Sequence, residues 1–239
     1  MKQHTLRAAY SFSGKGLHTG RPVTIHLLPA PDDYGVVFQR TDLGQEVFVH
    51  PIVENVSRTN RSTTLSENGA DIITPEHLLS ALMGLKIDNV LVQMDAPEVP
   101  ILDGSARPFV EAILRDGLLE QREERRFYTV SRHVEYEDSR SDARIVIDPA
   151  EGPEFDVTID FSSKVLGVQQ AHYDESIRYE DEIAPCRTFC FFQEVEFLLK
   201  RGLIKGGDLD NALVIDEPRG YLGDKKLYFE NECARHKLL

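Results

Sequence analysis

The chain is poor in cysteine, poor in positive charge and free of long apolar runs. Its 239 residues include three cysteines. So sparse and odd a set does not build a disulfide framework, and a reducing compartment is expected. Cys186 and Cys190 are four apart and Cys233 is remote. No Cys-x2-Cys pair exists to form a zinc knuckle, so all three read as buried or idle thiols. No run of 18 apolar residues is present, which argues against a spanning helix. Met1-Lys2-Gln3-His4-Thr5 carries no apolar signal segment, so the cytoplasm is the expected location. Lysine and arginine number 27 against 40 aspartates and glutamates, a net charge of -13. A surface this acidic excludes general nucleic-acid binding as an expectation. It leaves room for an anionic small ligand at a local cluster such as Arg235 and Lys237.

Familiar motifs are missing as well. Glu76-His77 is not part of H-E-x-x-H, because Ala81 stands where the second histidine belongs. It is not H-x-x-E-H either, because Ile73 holds the first position. Gly14-Lys15-Gly16 and Gly206-Gly207-Asp208 match neither the P-loop nor the dinucleotide fingerprint and read as turns. There is no exact repeat and no low-complexity tract.

What is present suits a globular protein of one or two domains, 41% hydrophobic and 28% charged. Val23, Ile25 and Leu27 alternate with polar neighbours as in a half-buried strand. Residues 36–38, 47–49 and 90–94 read as further strands. Pro75 to Met83 reads as a helix with Leu78, Leu79, Leu82 and Met83 on its apolar side, and Ala106 to Asp116 as another that stops at Gly117. The charge run Glu120 to Arg126 is a linker or the exposed end of an element. Beyond it, Phe127 to Val134, residues 145–147, Phe155 to Phe161 and Ala212 to Ile215 read as strands. Phe192 to Lys200 reads as a helix with Val195, Leu198 and Leu199 inward, and Cys233 to Leu239 as the opening of another. Strands come in runs with helices between them, so the class is α+β, divided into residues 1–122 and 123–239.

The chemistry concentrates at Thr74-Pro75-Glu76-His77 and Arg235-His236-Lys237. Thr74 suits an N-cap and Pro75 the first helical position, which puts Glu76 and His77 in a first turn. The positive helix end favours an ionised Glu76 beside a neutral His77 able to bind metal. Taken singly, each of these residues is equally at home as surface or core polarity. Thr188 reads from its neighbours as a strand threonine whose hydroxyl could donate to a developing oxyanion.

Taken in order, the segments resemble one family. Gly14 to Gly20, Thr74 to Leu82, Ile87-Asp88-Asn89, Pro97 to Ala106, Cys186-Arg187-Thr188-Phe189 and Arg235 to Leu239 are similar to the UDP-3-O-acyl-N-acetylglucosamine deacetylase (LpxC) family of lipid A biosynthesis. Gly202 to Ala212 resembles the Bacteroidetes version, in some members of which a dehydratase is fused. The resemblance implies two similar domains, each a sheet with helices on one face, with the helix layers packed between the sheets. It implies Zn2+ held by His77 and His236, Glu76 as general base and Thr188 as oxyanion donor. It places Lys237 and His18 toward the diphosphate of a UDP-sugar lipid precursor. It assigns the acyl-chain passage to the segment holding Phe189, Phe191, Val195 and Leu198. The family's third ligand, an aspartate four residues after the second histidine, and a later histidine fall past Leu239. The 239-residue chain is therefore expected to be an N-terminal piece with an incomplete second domain, weak zinc binding and little activity. The alternatives are a non-catalytic UDP-sugar or acyl-chain binding module, and a structural domain in which these residues are incidental.

Overall fold

The computed structural model describes residues 1–43, 46–223 and 225–239. The first half runs β1 (Lys2–Leu6), β2 (Tyr10–Lys15), β3 (Pro22–Pro29), β4 (Val36–Arg40), β5 (Phe48–Val49), β6 (Val56–Arg58), β7 (Thr64–Glu67), β8 (Ala70–Ile73), α1 (Glu76–Gly84), β9 (Val90–Met94), α2 (Arg107–Asp116) and β10 (Leu118–Glu124). The second runs β11 (Val134–Asp138), β12 (Ala143–Ile147), β13 (Glu154–Asp160), β14 (Val168–Asp174), α3 (Tyr179–Glu182), β15 (Phe189–Phe191), α4 (Phe192–Lys200), β16 (Leu213–Asp216), β17 (Gly220–Tyr221) and α5 (Glu232–Leu238).

The alternation in β3 has the expected consequence. Val23, Ile25 and Leu27 are buried, and β3 lies inside a five-stranded sheet ordered β2-β3-β9-β4-β5. One face of that sheet is covered by α1 and α2. Leu78, Leu82, Phe109 and Ile113 join Ile25, Phe38 and Val92 in one core. Burying each such side chain contributes about 1.5–3 kcal/mol. Leu78, Ala81 and Leu82 form the i, i+3, i+4 stripe of α1. Met83 was expected inward but falls off that stripe and is 71% exposed.

The charge run is the exposed end of an element, one of its two expected readings: it closes β10, which pairs antiparallel with β1, and Glu124 binds the Lys2 ammonium at 2.8 Å. One other segment differs from its sequence reading. Phe127 to Val134 is irregular until Val134, where β11 starts. Phe127 and Tyr128 are 68% and 95% exposed, so these apolar residues have no packing surface to order them as a strand.

In the second half β13 pairs with β14, and β15-β16-β17 form a small mixed sheet. α5 lies on β13 and β14 and seals a core of Ile159, Leu166, Ala171, Leu213, Ile215, Cys233 and Ala234. The helices of the two halves meet. Tyr179, Ile183 and Ala184 pack into the first core, and Leu238 packs against both cores. The Tyr179 hydroxyl sits 2.6 Å from Ser80 Oγ on α1. A side chain at Gly84 would strike the Tyr179 ring, which explains the glycine at the end of α1. The architecture is α+β, as expected.

Candidate metal centre and active site

α1 carries His77 from the first half and α5 carries His236 from the second. Their rings stand edge to face, centroids 5.3 Å apart. His236 Nδ1 lies 3.1 Å from the Cys186 carbonyl oxygen. A carbonyl only accepts, so Nδ1 carries the proton and Nε2 keeps its lone pair for a metal. Burial pushes His77 down to about 4. Burial and the neighbouring His77 push His236 down to about 3. Both imidazoles are therefore neutral at pH 7, the form that ligates metals.

Glu76 opens α1, but Thr74 is not its cap. Thr74 is in the left-handed region (φ 56°), and its hydroxyl donates to Glu98 Oε1 at 3.1 Å. Glu76 Oε1 accepts a long 3.4 Å bond from the Thr63 N–H, and Oε2 is buried with no partner. Burial raises its carboxyl above the usual range, outweighing the local N–H groups that lower it. The expectation that the helix end would favour its ionised form thus meets a larger opposing effect.

Glu98 organises the neighbouring loop and was not picked out from sequence as a site residue. It is 1% exposed and accepts from the backbone N–H of His18 at 2.8 Å and of Thr19 at 2.7 Å. Its signal was a carboxylate set among the apolar residues of Pro97-Glu98-Val99-Pro100. His18 is buried with Nε2 unpartnered and lines a cleft of about 440 Å³ with Arg21, Arg58 and Lys205.

Thr188 lies two residues after Cys186, whose carbonyl meets His236, and is held by its backbone. Its N–H donates to Gly104 O and its carbonyl accepts from the Leu213 N–H, both at 2.8 Å. Gly104 has φ 85°, and a Cβ there would collide with the Asn211 carbonyl oxygen. Gly104→Ala should therefore cost about 1–3 kcal/mol or more, read by urea unfolding. Unchanged stability would show that the close approach of residues 104 and 211 is not required.

An aromatic wall leads outward from the histidines. The Phe189 ring is 6.3 Å from that of His236, and Lys237 Nζ is 5.6 Å from its centroid. Phe161, not singled out from sequence, stands 5.7 Å from Phe189 and 5.6 Å from Phe191. Phe161 and Phe191 line an open cleft of about 670 Å³. Val195 is half-buried on α4 and Leu198 is buried; neither lines that cleft. Leu199, expected inward, is 48% exposed. Arg61 grips Glu194 of α4 at 2.5 and 3.1 Å, a link between the halves that nothing in the sequence announced.

Among the described residues one other cluster has metal-like donors, Glu154, Asp156 and His172, all exposed. There both ring nitrogens face carboxylates, at 2.9 Å to Asp156 and 3.2 Å to Asp174. Those bonds raise the imidazole's pKa, so the cluster is satisfied as an ion pair. Cys186 and Cys233 are buried and free of any disulfide, with thiols pushed up to about 12 by burial.

A paired set of neutral imidazoles with a buried, unpartnered carboxylate oxygen is the donor chemistry of a metal hydrolase. The family model for UDP-3-O-acyl N-acetylglycosamine deacetylase, LpxC, matches residues 3–239. The chain belongs to the LpxC family. LpxC enzymes are metalloenzymes, which agrees with the His77–His236 pair. The whole chain is 41% identical to the bifunctional enzyme LpxC/FabZ of Bacteroides thetaiotaomicron and covers 57% of it. It is 42% identical to the enzyme of the same name from Porphyromonas gingivalis, covering 56%. It is also 41% identical to the UDP-3-O-acyl-N-acetylglucosamine deacetylase of Saccharophagus degradans, covering 79%. The chain thus spans little more than half the length of the bifunctional relatives. No helix among the described residues is long and apolar enough to cross a membrane.

Proposed function

We propose that the protein removes the N-acetyl group of UDP-3-O-(3-hydroxyacyl)-N-acetylglucosamine, releasing acetate, as a zinc-dependent step of lipid A biosynthesis in the cytoplasm of a Gram-negative bacterium. The observation that carries this reading is the meeting of His77 and His236 from opposite halves, beside the unpartnered Oε2 of Glu76. His77 and His236 fit as ligands through ring nitrogens kept neutral by burial. Catalytic zinc usually has three protein ligands, so the proposal requires a further donor besides these two. When bound, zinc supplies Lewis acidity that brings the pKa of water to about 7.

The remaining steps belong to the side chains. Glu76, with an oxygen free and a raised pKa, takes the proton of the attacking water and holds it for the leaving amine. The Thr188 hydroxyl donates to the carbonyl oxygen as it gains charge. Lys237 and His18 meet the diphosphate of the nucleotide sugar. Phe189 and Phe191, with Phe161, provide the apolar passage for the acyl chain, while Val195 and Leu198 belong to α4, the helix that follows it, and do not line the cleft. The division into residues 1–122 and 123–239 is proposed as the two domains that close on this site. The LpxC/FabZ names of the bifunctional relatives support a dehydratase fused to the same polypeptide.

The test is acetate release from the UDP-sugar by the protein extended to the length of its relatives. Removal of metal by a chelator should abolish turnover, and added zinc should restore it. Binding of the UDP-sugar without any release of acetate would favour the binding module instead.

A further inference from the structure

The His236 ring is held by more than its own helix. α5 has only seven residues, too few to be stable alone, so its neighbours set its orientation. One neighbour is Cys186, whose carbonyl accepts a hydrogen bond from the Nδ1–H. The next residue, Arg187, ties the same segment to the same helix. Its backbone N–H and Nε donate to Glu232 Oε1 at 3.1 and 2.8 Å, and Nη2 donates to Oε2 at 3.0 Å. The Tyr228 N–H fills the last site on that carboxylate at 2.8 Å. Nη2 also reaches the Lys226 carbonyl at 2.8 Å, and the guanidinium lies 4.6 Å from the Tyr228 ring. Glu232 is wholly buried and Arg187 is 7% exposed.

Glu232 stands one helical turn before His236 and therefore on its side of α5. A buried ion pair adds little stability over an apolar pair of the same size. A planar fork that saturates a carboxylate does define direction. Here it defines where α5 sits against the segment before β15, in which the Cys186 carbonyl orients His236 and Thr188 follows Arg187.

We propose that Arg187, through Glu232, is the positioning residue for His236: the pair sets the imidazole's tautomer and its distance from His77, and so the affinity of the metal site. This inference rests on the reading of His77 and His236 as ligands. A lysine at 187 keeps the charge and loses the fork.

The experiment compares wild type, Arg187→Lys and Ile159→Val, the last a change in the core that α5 covers which leaves the Arg187–Glu232 pair intact. Co2+ affinity and the Co2+ absorption spectrum are measured, and nitrogen NMR of the His236 ring is recorded without metal. Arg187→Lys should bind Co2+ on the order of 10–100-fold more weakly, with an altered spectrum and a mixed tautomer. Ile159→Val should lower Tm and leave affinity, spectrum and tautomer at wild-type values. Wild-type affinity, spectrum and tautomer in Arg187→Lys would overturn the proposal. If wild type takes up no Co2+, the ligand reading fails and the tautomer alone decides the positioning role. Should Arg187→Lys not fold, the paired change Arg187→Met with Glu232→Leu keeps an apolar contact without the fork and is expected to show the same losses; wild-type behaviour there overturns the proposal equally.

Discussion

Glu76→Gln should lower acetate release by about 10²–10⁴-fold while leaving the metal content unchanged. Glutamine keeps the shape of the side chain and an oxygen for the 3.4 Å contact with the Thr63 N–H. It cannot take a proton from water. The two imidazoles proposed as metal ligands are untouched, so binding and turnover should separate in this variant. The pH profile offers a second reading. Burial raises the Glu76 carboxyl above the ordinary carboxylate range, with Glu98 adding to the rise and Lys237 opposing it. A base works only when deprotonated. Activity should therefore be present above the raised pKa and fall away below it, an acid limb displaced upward from the usual value near 4.3. In the glutamine variant the residual rate should lose that limb. Acetate release across pH, with metal measured in the same samples, checks both. Wild-type turnover in Glu76→Gln would remove Glu76 from the role of base.

Local patterns were legible wherever one face of an element is covered. Val23, Ile25 and Leu27 in β3 and the Leu78–Leu82 stripe in α1 announced their burial by period alone. The same rule misplaced Met83 and Leu199, whose helices meet nothing on those sides. It also drew a strand at Phe127, where no partner surface exists to reward one. The site was legible only as ordered motifs. His77 and His236 meet through the packing of two halves, and no local period encodes a contact between distant segments. The buried Glu98 hub, the Arg61–Glu194 link and the Arg187–Glu232 pair belong to the same class. Charged residues read as surface by composition, and only tertiary structure shows which carboxylate a guanidinium has found. The sign of the Glu76 shift has the same origin. The helix start is visible in the chain, whereas the burial that outweighs it depends on tertiary packing.

The histidine pair should also make the metal-free protein lose stability as pH falls below neutrality. An imidazole in the unfolded chain titrates near 6.5. In the folded chain burial holds His77 at about 4 and His236 at about 3. Between these values the unfolded state binds more protons than the folded one, so acid favours unfolding. The stability these rings contribute is complete above pH 6.5 and is lost as pH falls toward 4 and then 3. For His77 alone the loss is on the order of 3 kcal/mol, and because the two rings repel each other's charge the second does not simply double it. Two exposed imidazoles, His133 and His172, have their pKa values raised by carboxylate partners and act in the opposite sense. Glu76 is also opposite, since a raised carboxyl pKa costs stability at high pH and relieves it as pH falls. The slope must therefore be taken as a difference. His77→Ala removes one buried ring and opens a cavity, which lowers stability at every pH, but it should flatten the fall between pH 6.5 and 4. Urea unfolding at several pH values in a chelating buffer gives both curves. Parallel curves would mean that His77 is not held neutral in the folded chain. Metal should then steepen the wild-type curve, because ligation needs the neutral ring and competes with protons for it. A variant without His77 should keep only the slope that His236 contributes, with a weaker response to metal.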